Sequence, residues 1–157
     1  QYPAGARVIP VITTEEMLRE CEKLFEQCDG LIGAAAPCDY RPQTYSSEKL
    51  RKSGRTLAIQ LAETPDILAT LGEKKEHRWI VGFALETNDI HNRAMEKLRK
   101  KRCDLIVINR PTAIGVPVTE VEIADSSGII LGKWTGSKET IAQRIYEIVG
   151  ERFLRDH

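Results

Sequence analysis

The stretch from Trp79 to Ile108 reads WIVGFALETNDIHNRAMEKLRKKRCDLIVI, two short apolar runs on either side of a polar, basic segment. A continuous apolar run of this length marks a strand buried on both faces, so Trp79 to Leu85 and Leu105 to Ile108 are predicted strands. Between them Asn88 or Asp89 suits a helix cap, and Met95 with Leu98 supplies an inner face up to about Arg102. Strand, helix and strand in succession predict a crossover between parallel neighbours.

The same alternation extends outward from this unit. Towards the C-terminus, Val118 to Ala124 and Ile129 to Lys133 flank Asp125-Ser126-Ser127-Gly128 as a hairpin. A last helix starts at a Ser137 cap and turns Ile141, Ile145, Ile148 and Val149 inward. Towards the N-terminus, β-branched Arg7 to Ile12 reads as a strand, and Thr13-Thr14-Glu15-Glu16 carries a capping-box pattern. Met17, Leu18, Cys21, Leu24, Phe25 and Cys28 then form one helical stripe that Asp29-Gly30 ends. Leu31 to Ala36 reads as a strand buried on both faces, opening into a long mobile loop over Pro37 to Gly54. Thr56 to Glu63 places Leu57, Ile59 and Leu61 on one strand face, and a short helix follows with Pro65 at its first position. The expected fold is α/β: one domain over residues 1–157, with a Rossmann-like, mostly parallel sheet, helices on both faces and a C-terminal antiparallel hairpin.

Composition narrows the function. The chain has 157 residues, 41% hydrophobic, enough for one sizeable core. Lys plus Arg and Asp plus Glu each number 23, which removes the global positive charge of a nucleic-acid or membrane-surface binder. No apolar run approaches the roughly 20 residues of a membrane span, and Gln1 to Gly5 lacks a signal-peptide pattern. Cysteines 21, 28, 38 and 103 form no CxxC pair, so neither zinc nor a disulfide framework is indicated and a reducing cytoplasm is expected. The absence of any Gly-x-Gly argues against the dinucleotide fingerprint.

In open α/β sheets ligands sit beyond the carboxyl ends of the strands, after Ala36, Leu85 and Ile108 here. Gly33-Ala34-Ala35-Ala36 has almost no side chain, which suits either ligand approach to backbone amides or tight helix packing. Asp39 is able to bond a ribose hydroxyl, or simply to cap a turn. Lys49, Arg51 and Lys52 suit a cationic lid over phosphates, although a solvated charge run has the same composition. Lys97 and Lys101, at i and i+4, share one helix face; singly each is explained by the helix dipole. Together with the loop cations they suit a polyanion such as a nucleoside triphosphate. Histidines 77, 91 and 157 form no triad and are assigned to the surface.

The series Gly33 to Pro42, Glu48-Lys49-Leu50-Arg51-Lys52, Pro65-Asp66-Ile67-Leu68 and Val81 to Thr87 resembles the phosphopantothenoylcysteine synthetase family. Members commonly form the C-terminal half of the bifunctional coenzyme A biosynthesis flavoprotein. The resemblance implies a ligase in which CTP, with Mg2+, activates 4'-phosphopantothenate as an acyl-cytidylate that the amine of cysteine then attacks. It further implies a homodimer and a fused or partner decarboxylase. By position, Gly33, Ala34 and Ala35 would line the nucleotide pocket and Asp39 would contact the nucleotide. Lys49 would sit on a flap over the reacting phosphates, Phe83 would flank the base, and Lys97 with Lys101 would hold the triphosphate. Asn109 stands where the family usually has Asn-Asp and is taken with Lys49 as catalytic.

Three departures accompany the resemblance. The family's glycine-rich strand-to-helix unit with its Asn-x-Ser-Ser-Gly motif is not in this sequence, Arg110 replaces the aspartate after Asn109, and Thr119 stands where asparagine is usual. Two other readings remain open: a catalytically incomplete nucleotide-binding module, and a dimerisation module that pairs through the edge of the Val118 to Lys133 hairpin.

Overall fold

In the computed structural model, which describes residues 2–52, 54–85, 89–110 and 118–154, four helices pack around a five-stranded sheet. The elements are α1 (Thr14–Phe25), β1 (Gly30–Gly33), β2 (Tyr40–Pro42), β3 (Leu61–Glu63), α2 (Ile67–Glu73) and β4 (Trp79–Leu85). They continue with α3 (Ile90–Lys100), β5 (Leu105–Arg110), β6 (Thr119–Asp125), β7 (Ile130–Gly136) and α4 (Lys138–Phe153). The sheet order is β1-β4-β5-β6-β7; β1, β4 and β5 are parallel, while β5-β6-β7 run antiparallel. This is the expected α/β layout with its C-terminal hairpin.

Alternation along β4 and β5 divides the core. Ile80, Ala84, Ile106 and Ile108 face α1, α2 and α3, where they meet Phe25, Leu71, Met95 and Leu98. Val81, Leu105 and Val107 face α4, where they meet Ile141, Ile145 and Val149. Both apolar runs are therefore buried on two sides, as parallel strands require. Partly buried Trp79 extends the second layer by stacking on Phe153, with ring centroids 5.5 Å apart.

Caps follow the sequence with two corrections. Thr13 and Glu16 form the capping box at α1, and Ser137 accepts from Thr140 N at α4. At α2 the cap is Asp66, whose side chain accepts from Ala69 N, so Pro65 precedes the cap instead of opening the helix. At α3 the cap position is Asp89, left-handed at φ 49 and without a side-chain cap bond; Asn88 lies outside the described residues. That helix ends at Lys100, short of Arg102, which itself has φ 50.

Three predicted strands are corrected. Arg7 to Ile12 is extended but forms no strand, because no described strand lies alongside to take its backbone bonds, and Ile12 remains 95% exposed. The run after Asp29 is a strand only over Gly30–Gly33 and is half-buried, since it forms a sheet edge with a strand on one side only. Of Thr56 to Glu63, only Leu61–Glu63 is a strand; it pairs with β2, a short strand inside the expected loop, in a ribbon separate from the main sheet. Leu57, Ile59 and Leu61 are all exposed there.

The β6–β7 turn is fixed by Asp125. Its Oδ1 accepts from the Ser127 hydroxyl, Ser127 N and Ile129 N, and its Oδ2 accepts from Arg152 at 3.3 Å. The Ser127 hydroxyl, these amides and Arg152 hold the carboxyl below its ordinary value. A depressed folded-state value means stability that is present above the unfolded carboxylate range and lost as pH falls through the lowered value. Asp125→Ala is expected to cost about 2 kcal/mol at neutral pH. In urea melts, the gap to the parent should narrow as pH drops below the carboxylate range.

Candidate functional site

The exit of β1 and the start of α2 are tied by one residue. Thr64 N donates to Asp39 O at 2.9 Å, and the Thr64 hydroxyl donates to Cys38 O. Asp39 opens the β2–β3 ribbon, so the exit segment, the ribbon base and the head of α2 meet at one end of the molecule. This is the strand-exit edge expected to carry chemistry.

On the face that carries Ile80 and Ile106, a pair of glycines lies in register, Gly33 on β1 and Gly82 on β4. A Cβ at Gly33 would lie 2.6 Å from Leu68 Cδ2, and one at Gly82 would lie 2.9 Å from Cys103 Sγ. Leu68 and Cys103 thus lie directly on backbone. Burial pushes the Cys103 thiol up to about 11, against the opposing charges of Lys101, Lys75 and Lys97.

Of the cations, Lys101 reaches the head of α2. Lys101 Nζ lies 3.1 Å from Asp66 Oδ1, with only 19% of the side chain exposed. Lys97, one turn earlier, is half-buried and has no ion-pair partner among the described residues. Asp66 and Gly82 were not singled out from sequence. Pro65-Asp66 read as a helix start and as part of the family's motif series, and an isolated glycine in an apolar strand carries no side-chain chemistry to notice.

The other candidates are spread over the molecule. Ala34 and Ala35 are exposed along the β1 exit. On its other side, towards α1, lies an open cleft of 580 Å³ lined by Ile12, Thr14, Ala35, Ala36, Arg41 and Thr64 among others. There Arg41 Nε meets Glu15 Oε1 at 2.6 Å. Lys49 is exposed in the connection beyond the paired strands of the ribbon. Phe83 packs with the α4-facing layer, on the opposite face from Gly82. Asn109 lies on β5 opposite Val121, and its buried Oδ1 has no hydrogen-bond partner among the described residues. Arg110 pairs with Glu120 through register, and Thr119 with Gly136. Glu86 and Thr87 fall outside the described residues, as does His157; His77 is exposed, and His91 lies 3.9 Å from the buried Glu122 carboxylate. A further groove, between β7 and α4, holds none of the candidate residues.

Residues 1–152 match the family described as the DNA/pantothenate metabolism flavoprotein C-terminal domain. The chain belongs to that family. It is 40% identical over 114 residues to the coenzyme A biosynthesis bifunctional protein CoaBC of Bacillus subtilis, covering 72% of this chain and 28% of that protein. With CoaBC of Escherichia coli K12 it shares 37% over 111 residues, covering 68% of this chain and 27% of that protein. The chain thus spans less than a third of these relatives. The crystal structure of the C-terminal domain of CoaBC superposes with a TM-score of 0.78 at 26% identity, covering 96% of this chain and 68% of that one. A Cab2 mutant in complex with phosphopantothenate-cysteine shares the fold, with a TM-score of 0.64 at 16% identity and coverage of 92% and 54%.

Thiol labelling checks the packing at Gly82. Exposed Cys28 and Cys38 should react with a disulfide reagent at pH 8 in the native protein, while Cys103 reacts only on unfolding. Native labelling of Cys103 at the rate of Cys38 would contradict its packing beneath Gly82.

Proposed function

We propose that this chain is the ligase domain of a phosphopantothenate–cysteine ligase in coenzyme A biosynthesis, using CTP. The observation that carries the reading is the open cleft at the β1 exit, lined by Ala35, Ala36 and Thr64 among others, in a chain of this family. A carboxylate oxygen of 4'-phosphopantothenate attacks the α-phosphorus of CTP, the bond to pyrophosphate breaks, and an acyl-cytidylate forms. The amine of cysteine, having lost a proton, then attacks the acyl carbon and CMP leaves.

In this scheme Lys97 and Lys101 hold the triphosphate and offset charge on the departing pyrophosphate. Gly33, Ala34 and Ala35 let the nucleotide approach the backbone, Asp39 contacts it, and Phe83 flanks the base from the other face. Lys49 acts from the ribbon loop as a flap, and Asn109 offers its unpartnered amide oxygen to a substrate donor. Mg2+ would arrive on the triphosphate, because no group of three or more His, Cys, Asp or Glu suited to a metal occurs among the described residues.

A homodimer and a fused or partner decarboxylase complete the proposal. An isolated two-stranded ribbon is marginally stable in water, and this one exposes Tyr40, Leu57, Ile59 and Leu61. A second copy covering that ribbon accounts for the apolar surface and supplies the neighbour it lacks. The hairpin edge expected from sequence is the weaker support, since β7 is half-buried along most of its length. Four free cysteines accord with a reducing cytoplasm, and among the described residues no helix is long and apolar enough to cross a membrane.

A nucleotide-binding module without turnover is the second reading, favoured by the exposed place of Lys49 in the ribbon's connection, outside its paired residues. Pyrophosphate release with CTP, 4'-phosphopantothenate, cysteine and Mg2+ separates the two, and CTP binding without release selects the module. Lys49→Ala should slow acyl-cytidylate formation roughly 100-fold with an unchanged melting temperature; full activity would remove the flap role. Asp39→Asn should weaken CTP about tenfold, a change of about 1.4 kcal/mol by calorimetry.

A further inference from the structure

The β2–β3 ribbon stands off the body and is held to it by charge. It pairs with no strand of the main sheet, and of its six paired residues only Ala62 is partly buried. The two crossings that attach it are fastened to each other, since Thr64 N donates to Asp39 O and the Thr64 hydroxyl donates to Cys38 O. The Tyr40 hydroxyl adds a bond to Glu63 Oε1 at 3.3 Å across the strands. The paired strands therefore form one unit with a closed base, and little packed surface fixes their angle to the body.

Arg41 supplies that angle. Its Nη1 donates to the Pro42 carbonyl of its own strand at 3.3 Å, while its Nε donates to Glu15 Oε1 at 2.6 Å. Glu15 is a fixed point, because it lies in the first turn of α1, whose head is closed by the Thr13–Glu16 capping box and whose far end is buried through Phe25. Its own backbone amide and the Arg41 guanidinium hold the carboxyl below its ordinary value, so the charge persists at neutral pH. Among the described residues this is the one ion pair that joins the paired strands to a helix. Both partners also line the 580 Å³ cleft, with Thr14 from α1, Ala36 from the β1 exit and Pro42 from the ribbon. The pair thus links two walls of the cleft, and its side chains are 48% and 40% exposed. An ion pair in that setting is weak and screened by salt, so it biases the wall without locking it.

We infer that the ribbon is a hinged wall of the β1-exit cleft, and that the Arg41–Glu15 pair is the latch holding it against α1. The hinge is the base at Asp39 and Thr64. A latch of this strength opens readily, admits a molecule too wide for the closed mouth and re-forms behind it. The inference goes beyond the ligase reading, which needs the cleft but not a moving wall, and it holds or fails without any nucleotide.

Cys38 lines the same cleft and reports its width. The test compares the parent chain with Glu15→Gln, with Arg41→Gln, and with the reversed pair Glu15→Arg plus Arg41→Glu. Each is modified at Cys38 by a methyl thiosulfonate and by a thiosulfonate carrying a bulky spin label, and the rates are read by peptide mass spectrometry. The bulky reagent should react several-fold faster in both single variants, and in the parent at about 0.5 M salt. The small reagent should react alike in all, the reversed pair should return the parent ratio, and melting temperatures should stay near that of the parent. A second measurement takes the spin-label distance from Cys28 on the body to Tyr45→Cys on the ribbon's connection, in a Cys21→Ser, Cys38→Ser background diluted with unlabelled chain. A narrow distribution in this background should broaden when either single substitution is added and narrow again with the reversed pair. Equal bulky-reagent rates or equal distance distributions with and without the single substitutions overturn the latch, as does an equal speeding of both reagents, which reports thiol reactivity instead of width. Latch behaviour in a chain that releases no pyrophosphate sustains the hinged wall and overturns the ligase reading alone.

Discussion

Two strands with water excluded from both faces impose the rest of this architecture. Ile80, Val81, Ile106 and Val107 have no exposed surface and point by turns into two separate helix layers. Covering both faces requires that each parallel connection leave the sheet, run back as a helix and re-enter beside its predecessor. The carboxyl ends of β1 and β4 therefore lie at one edge. Thr64 then needs only two hydrogen bonds to join the β1 exit to the head of α2.

Sequence was most informative where one local pattern coincided with one global role. β4 agrees with its apolar run residue for residue, and Ser137 caps α4 as its position suggests. Reading failed where a strand depends on its neighbours. Arg7 to Ile12 has the β-branched composition of a strand, but composition supplies no partner for its amides. The alternation of Leu57, Ile59 and Leu61 says that one face is apolar and leaves open what covers it. The half-buried state of β1 likewise follows from its edge place in the sheet order, which no single run of residues encodes.

The site was legible to a similar degree. Lys97 and Lys101 were visible as an i, i+4 pair, and Gly33 as a gap in side-chain volume. Their relation to Asp66 and Gly82 arises only when α2 and α3 lie side by side over β1 and β4. Strand parity decides Phe83: once Gly82 faces Cys103, its neighbour must face α4. Asn109 follows the same parity along β5, in line with Val107 and Leu105 rather than Ile108.

The change of strand direction at β5 also divides the molecule in time. Pairing β6 with β7 closes a tight turn around Asp125, between Ala124 and Ile130, whereas pairing β1 with β4 must bring Gly30 to Trp79 across the ribbon and α2. Loop-closure entropy favours the near contact and delays the distant one. The hairpin is therefore suited to serve as a template on which the parallel half condenses. The register of Gly33 with Gly82, which belongs to that later half, is set only when the long-range contacts close.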